Sequence, residues 1–126
     1  MNFPESLLYS KDHEWILIEG DMGIVGITDY AQGELGDVVF VELPPVGKIL
    51  KQHEPFGTIE AVKAVSDLFA PVSGSVEAVN KELEKASEVV NKDPYGKGWI
   101  IKMKLSKPGE ASALLDARAY KSLVGK

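Results

Sequence analysis

Short strand-like segments that alternate with turn residues limit what this chain can fold into. Glu14–Glu19 and Met22–Ile27 are rich in β-branched and apolar residues, and only Gly20-Asp21 separates them, which predicts a β-hairpin. Residues 37–43 predict another strand. Pro44-Pro45 ends it, because proline cannot donate to a hydrogen-bond ladder. Short strands at this spacing predict a small sandwich or barrel.

Further strands are predicted towards the C-terminus, at residues 48–50, 56–62, 67–72, 75–79 and 99–105. In the last of these, Lys102 and Lys104 share one face. The opposite face is apolar and consists of Trp99, Ile101, Met103 and Leu105. This alternation predicts a strand with one buried face.

Helical signals are fewer. Thr28 or Asp29 is placed to cap a short helical turn. The Glu, Lys and Ala content of residues 81–90 predicts one or two turns, and residues 111–123 predict a C-terminal helix that ends at Gly125. Four side chains in that last segment lie near helical spacing: Leu114, Leu115, Ala119 and Leu123.

A weak internal repeat relates PVGKI at residues 45–49 to PVSGSV at residues 71–76. Each segment follows a predicted strand that ends in an apolar residue. Two related hairpin halves would explain the similarity, and so would chance, because Pro-Val-Gly is ordinary turn chemistry. The sequence leaves both explanations open.

Composition narrows the class of protein. The chain has 126 residues, 44% of them hydrophobic, and no linker-like stretch, which predicts one domain spanning residues 1–126. The net charge of −5 disfavours nucleic-acid binding, and no apolar run is long enough to cross a membrane. We expect a cytoplasmic monomer, or a mature mitochondrial form if the source is eukaryotic. The chain has no cysteine, so sulfur redox chemistry would require a cofactor.

Lys63 is the strongest candidate for a chemically functional residue. If strands occupy both sides, Val62 to Val65 closes a hairpin and Lys63 lies at its tip, beside the small Ala64. A type I turn fits there, although Ser66-Asp67 is the stronger local turn signal. An exposed lysine at a hairpin tip is accessible to a modifying enzyme. For a lysine taken alone, a solvated surface residue is the simpler interpretation.

Several ordered blocks resemble the H proteins of the glycine cleavage system. That family carries a lipoyl-lysine in a Glu-Ser-Val-Lys-Ala pattern followed by Pro-x-Ser-Gly, and this chain has EAVKA at residues 60–64 and PVSG at residues 71–74. The other matching blocks are KDHEW (11–15), GITDYAQ (26–32), LGDVVFV (35–41), LP (43–44) and NKDPYGKGW (91–99). Together they span roughly residues 9–105, and Ala61 in place of Ser is a small departure.

The resemblance implies a mainly β fold, a barrel-sandwich hybrid of the lipoyl/biotinyl type. It would have two antiparallel sheets related by a pseudo-two-fold axis, short helices and a C-terminal helix. We expect the lipoyl-binding core at about residues 22–105 and a helical extension at about residues 108–124.

The resemblance also implies a non-catalytic carrier with lipoate covalently attached at Lys63. Such a carrier takes an aminomethyl group from the pyridoxal-phosphate enzyme glycine decarboxylase to the tetrahydrofolate-dependent aminomethyltransferase, and electrons to dihydrolipoyl dehydrogenase. Glu60 and Gly74 resemble positions that the lipoate-attaching enzyme reads. Glu14 would face the aminomethyl amine, with a solvated strand carboxylate as the alternative. His13 is interpreted as a structural histidine, and no metal site is expected.

Rival interpretations differ in the residues around the lysine. A biotin carrier typically has Met-Lys-Met, and a lipoyl domain of a 2-oxoacid dehydrogenase has Asp-Lys-Ala and a flexible linker. An enzyme that uses Lys63 as a Schiff-base nucleophile would need a desolvated lysine. An H-like protein that relays lipoate to other enzymes is compatible with the same sequence.

Overall fold

A computed structural model describes all residues, Met1 to Lys126. The nine strands are β1 Leu8–Tyr9, β2 Glu14–Glu19, β3 Met22–Ile27, β4 Val38–Glu42, β5 Ile49–Leu50, β6 Pro55–Ala61, β7 Val65–Phe69, β8 Gly74–Val79 and β9 Ile101–Leu105. The α-helices are α1 Asp29–Leu35, α2 Val89–Lys92 and α3 Ala117–Val124, and 3₁₀ helices occupy Lys81–Glu84 and Pro108–Ala113. None of these helices is long and apolar enough to span a membrane.

The strands form two antiparallel sheets. One has six strands in the order β1-β2-β3-β9-β8-β5, and the other has three in the order β4-β6-β7. Strands β1 and β2 lie upstream of residue 22 and belong to the larger sheet. This arrangement is the predicted barrel-sandwich hybrid of two antiparallel sheets with short helices and a C-terminal helix.

The predicted β2–β3 hairpin is confirmed. Glu19 pairs with Met22, which leaves Gly20-Asp21 as a two-residue loop. Gly20 adopts φ 64°, a left-handed conformation that glycine allows without steric cost. The hairpin fixes the register of Glu14 at the start of β2, opposite Ile27.

The main core contains 18 buried residues contributed by both sheets. The alternation predicted for residues 99–105 is present within β9, since Ile101, Met103 and Leu105 are buried while Lys104 is exposed. It does not extend to Trp99, which precedes the strand and is half-buried. A smaller cluster packs the two ends of the chain together, and it consists of Phe3, Leu7, Tyr9, Trp15, Ala117 and Tyr120. The C-terminal helix is therefore fixed to the sheet by aromatic packing.

The two repeated segments lie side by side. Strand β5 pairs antiparallel with β8, with Ile49 opposite Ser75 and Leu50 opposite Gly74. Before the start of β5, the Gly47 N–H donates to the carbonyl oxygen of Val76 in β8 over 2.7 Å. Antiparallel pairing of two similar segments is the arrangement that a pseudo-two-fold axis between related halves would produce.

The predicted helix at residues 111–123 is wrong in its extent. The 3₁₀ helix ends at Ala113, and Leu115 pairs with Tyr9 through two backbone hydrogen bonds of 2.7 and 2.8 Å. Asp116 then caps α3 by accepting from the Ala119 N–H. Pairing with strand β1 interrupts the helical spacing, while the predicted stop at Gly125 is confirmed by its φ of 76°.

Other boundaries differ by smaller amounts. Ser66-Asp67, the stronger turn signal, lies inside β7 instead, and β7 ends at Phe69. The segment at residues 81–90 forms a 3₁₀ turn and the start of α2. Thr28 caps α1 as predicted, by accepting from the Ala31 N–H.

Candidate functional site

Lys63 lies at the tip of the β6–β7 hairpin. Glu60 pairs with Val65, and the Ala61 N–H donates to the Ala64 carbonyl oxygen over 2.7 Å, which closes the turn. None of the tip residues has a positive φ, so the turn needs neither Gly nor Asn. Lys63 is exposed, and its amine takes part in no hydrogen bond or ion pair. The amine is therefore free to react.

A cleft of about 430 Å³ opens beside the tip. Helix α1 supplies one wall, and Ala64 with the residues of β7 up to Leu68 supplies another. Four acidic residues also line the cleft: Asp12, Glu14, Glu34 and Asp67. An apolar chain with a polar or cationic end would match this lining.

Glu14 is buried at the wall of this cleft, with 2% of its surface exposed. The Ser10 hydroxyl donates to Oε1 over 2.6 Å, and the Phe69 N–H donates to Oε2 over 3.2 Å. Burial raises the pKa of Glu14 to about 8 even though both hydrogen bonds lower it, and the nearby Asp12 adds a smaller rise. The alternative of a solvated strand carboxylate is therefore wrong.

His13 precedes Glu14 and also lines the cleft. Its backbone adopts φ 68°, and its Nδ1 lies 2.8 Å from the Tyr120 hydroxyl. That hydroxyl lies 2.8 Å from the Thr28 hydroxyl as well, so helix α3 is joined to one side of the cleft. Burial lowers the pKa of His13, although Asp12 and Glu34 oppose the change. These contacts fit the structural role predicted for His13.

Glu60 lies on the same hairpin as Lys63. It pairs with Phe40 of β4 on one side and Val65 of β7 on the other. Its neighbours Ile59 and Ala61 are buried, so Glu60 points to the outer face of the sheet and is partly exposed. The carboxylate is accessible to a protein that approaches the tip.

Gly74 lies in a different part of the fold. It begins β8 in the six-stranded sheet, is buried, and does not line the cleft. A Cβ at this position would lie 2.1 Å from the Lys104 carbonyl oxygen of β9. Close approach of two backbones, and not a positive φ, therefore requires glycine here.

Comparison with known proteins places the chain in a family. Residues 7–126 match the family described as "Glycine cleavage H-protein". A glycine cleavage system H protein from Symbiobacterium thermophilum is 61% identical over 119 residues, 94% of this chain and 93% of that protein. One from Chlorobium luteolum is 60% identical over 127 residues and covers 99% of each. The chain belongs to the glycine cleavage H-protein family.

The fold of the family is shared as well. The crystal structure of a glycine cleavage system H protein from Mycobacterium marinum superposes with a TM-score of 0.91 at 40% identity, covering 98% of this chain and 100% of that one. The resemblance seen in the sequence blocks is thus confirmed. The family is the lipoate-carrying shuttle of the glycine cleavage system.

Three acidic residues that line the cleft, Asp12, Glu34 and Asp67, were not predicted as site residues. Asp12 lies within the KDHEW block, and Asp67 follows Lys63 by four positions. A signal for Asp67 was present, because the strand that leaves a hairpin tip must border any cleft beside that tip. No local signal pointed to Asp12, which precedes β2 by two residues and reaches the cleft only through tertiary packing.

Proposed function

We propose that this chain carries one lipoyl group, amide-linked to Nζ of Lys63, and serves as the carrier between the enzymes of glycine cleavage. The observation that carries the proposal is the unpaired amine of Lys63, exposed at a hairpin tip beside the cleft. The residues fit such a group, since the cleft volume of about 430 Å³ lies in the range of small-molecule sites. When bound, the dithiolane supplies the disulfide–thiol chemistry that a chain without cysteine lacks.

Glu14 is proposed as the residue that accepts a cationic amine in the cleft. Its carboxyl is mainly protonated at neutral pH and loses its proton slightly above it, because burial raises its pKa to about 8. An ammonium group nearby would favour the charged form and lower that pKa, so binding would release a proton from Glu14. The carboxylates of Asp12, Glu34 and Asp67 make the same region attractive to cations.

The proposed partners are glycine decarboxylase, aminomethyltransferase, dihydrolipoyl dehydrogenase and a lipoate-attaching enzyme. That enzyme would read Glu60 directly, whereas buried Gly74 would contribute by shaping the backbone. In this scheme the chain is a carrier and has no catalytic residue of its own. Its acidic net charge of −5 would favour docking on basic surfaces of those enzymes. The cytoplasmic location and monomeric state expected from the sequence stay predictions.

The proposal is tested by modifying the purified chain with a lipoate–protein ligase, ATP and lipoate. Wild-type protein and a control, Lys85→Arg at another exposed lysine, should each gain the mass of one lipoyl group. Lys63→Arg should fold but gain none. Because the chain has no cysteine, thiols titrated after reduction report the cofactor alone. Modification mapped to another lysine, or biotin accepted at Lys63, would contradict the proposal.

A further inference from the structure

Asn91 ties together three groups at the end of α1. Its side-chain N–H groups donate to the Gly36 carbonyl oxygen over 2.8 Å and to Gln32 Oε1 over 3.0 Å. Its Oδ1 accepts from the Val38 N–H over 2.9 Å. Only the oxygen can accept from that N–H and only the nitrogen can donate to that carbonyl, so this network fixes the orientation of the amide.

The other end of α1 is held by the same part of the chain. The Tyr95 hydroxyl accepts from the Asp29 N–H over 2.9 Å and donates to the Asn2 carbonyl oxygen over 2.6 Å. The segment containing Asn91 and Tyr95 therefore holds both ends of the helix. That helix forms a wall of the cleft.

Residues 36–38, here termed the cradle, begin at Gly36, whose backbone lies close to the side chain of Lys63. A Cβ built on Gly36 would lie 3.2 Å from Lys63 Cε, 3.8 Å from Cδ and 3.9 Å from Nζ. The cradle is also bonded to the hairpin, since the Val62 N–H donates to the Asp37 carbonyl oxygen over 3.0 Å. Gly36 and Lys63 are the chain neighbours of Leu35 and Ala64, which line the cleft. The lysine stem thus lies on the cradle at the rim of the cleft.

We propose that Asn91 is a positioning residue that, by holding Gly36 at the end of α1, sets the direction in which the Lys63 side chain leaves the protein. A lysine stem has many rotamers in solution, and a surface along its length reduces that number. Loss of Asn91 would leave the Val38 N–H and the Gly36 carbonyl without their partner. It would loosen the cradle at Gly36, while Val38 stays paired with Ala61. The inference deepens the proposed modification of Lys63, because an amine presented in one direction is easier for an enzyme to acylate.

Asn80 provides a matched control. Its side chain also makes three hydrogen bonds, donating to the Lys97 and Trp99 carbonyl oxygens and accepting from the Glu82 N–H. None of these residues lines the cleft beside Lys63. Asn80→Ala and Asn91→Ala therefore remove the same number of hydrogen bonds, but only Asn91→Ala loosens the cradle at Gly36.

The first measurement uses unmodified, isotopically labelled protein. The wild type should show a nuclear Overhauser effect between the Lys63 Hε protons and a Gly36 Hα proton. Asn80→Ala should retain it, and Asn91→Ala should lose it. The second measurement is lipoylation by a lipoate–protein ligase with ATP and lipoate. Asn91→Ala should lower kcat about fivefold with little change in KM, well within the roughly hundredfold that a 1 Å misplacement can cost.

The proposal would be overturned if the wild type lacked the nuclear Overhauser effect between Lys63 and Gly36, or if a folded Asn91→Ala retained it. An unchanged kcat for lipoylation of Asn91→Ala would overturn it as well. If Asn91→Ala does not fold, Asn91→Asp replaces it, since this variant keeps the acceptor for Val38 but cannot donate to Gly36. It must weaken the effect for the proposal to stand. Failure of the ligase to modify the wild type would refute the proposed function, while the proton contact would still decide whether the cradle positions Lys63.

Discussion

Replacing Glu14 with glutamine should make the chain more stable at neutral and alkaline pH. In the wild type, burial raises the pKa of Glu14 from its ordinary value of 4.5 to about 8. A group whose pKa is raised by folding contributes stability that is present below the unfolded-state pKa and is lost as pH rises through the folded-state pKa. Glutamine resembles the protonated carboxyl and does not titrate.

The size of the effect follows from that interval. At 1.36 kcal/mol per pH unit, the interval from 4.5 to about 8 corresponds to at most about 5 kcal/mol of unfolding free energy. The variant should therefore match the wild type near pH 4.5 and exceed it by several kcal/mol at pH 8. Such a difference is a large fraction of the unfolding free energy of a typical domain, which is about 5–15 kcal/mol.

Urea denaturation from pH 4.5 to 9 would measure this difference. The wild-type profile alone is not diagnostic, because His13 acts in the opposite direction. Its pKa is lowered by folding, so its contribution to stability is gained as pH rises towards the ordinary value of 6.5. Subtracting wild type from Glu14→Gln cancels His13 and isolates Glu14. Glu77→Gln, at an exposed position on β8, should run parallel to the wild type.

Two results would refute the reasoning about Glu14. Parallel unfolding profiles for Glu14→Gln and the wild type would mean that the carboxyl titrates alike in the folded and unfolded states. A variant that became less stable than the wild type as pH rose would mean that the hydrogen bonds from Ser10 and Phe69 outweigh burial. The titration midpoint of the Glu14 carboxyl carbon, measured by NMR, would distinguish these cases directly.

Two further substitutions test the positions predicted for recognition. Glu60→Ala should slow lipoylation while changing the unfolding free energy by less than about 0.5 kcal/mol, because the side chain is partly exposed and unpaired; a normal rate in a ligase assay would exclude Glu60 from recognition. Gly74→Ala should cost about 3 kcal/mol or more, since its Cβ would lie 2.1 Å from a backbone oxygen. A melting temperature equal to that of the wild type would contradict this close approach.

Short-range sequence patterns were sufficient to predict the elements whose structure depends on neighbouring residues. The β2–β3 hairpin followed from alternating apolar residues and Gly20, and α1 followed from its cap at Thr28. The hairpin at Lys63 lacks such chemistry because its turn uses no positive φ, so its position depended on the family resemblance. Ser66-Asp67 has the local chemistry of a turn but does not form one, because pairing with Ile59 and Thr58 holds both residues in β7.

Elements that depend on distant partners were predicted less well. Leu114 and Leu115 have helical spacing, but Leu115 bonds to Tyr9, more than a hundred residues earlier, and this contact keeps the backbone extended. The role of Asn91 depends on Gly36 and Val38 in the same way. Local propensity is outweighed where a tertiary hydrogen bond competes with it.

The position of Glu14 depends on a local strand and on a distant hydrogen bond. Its burial is also not what stability alone would favour. As the first residue of β2, it had a solvated carboxylate as its alternative interpretation, but its carboxyl accepts from the Phe69 N–H of β7, the edge strand of the other sheet. A buried carboxyl with a raised pKa lowers stability at neutral pH, and a well-packed neutral side chain would avoid that loss. The fold keeps this carboxyl at the wall of the cleft beside Lys63, where a cation carried on that side chain would favour its charged form. The binding role proposed for Glu14 would account for this carboxyl where packing does not.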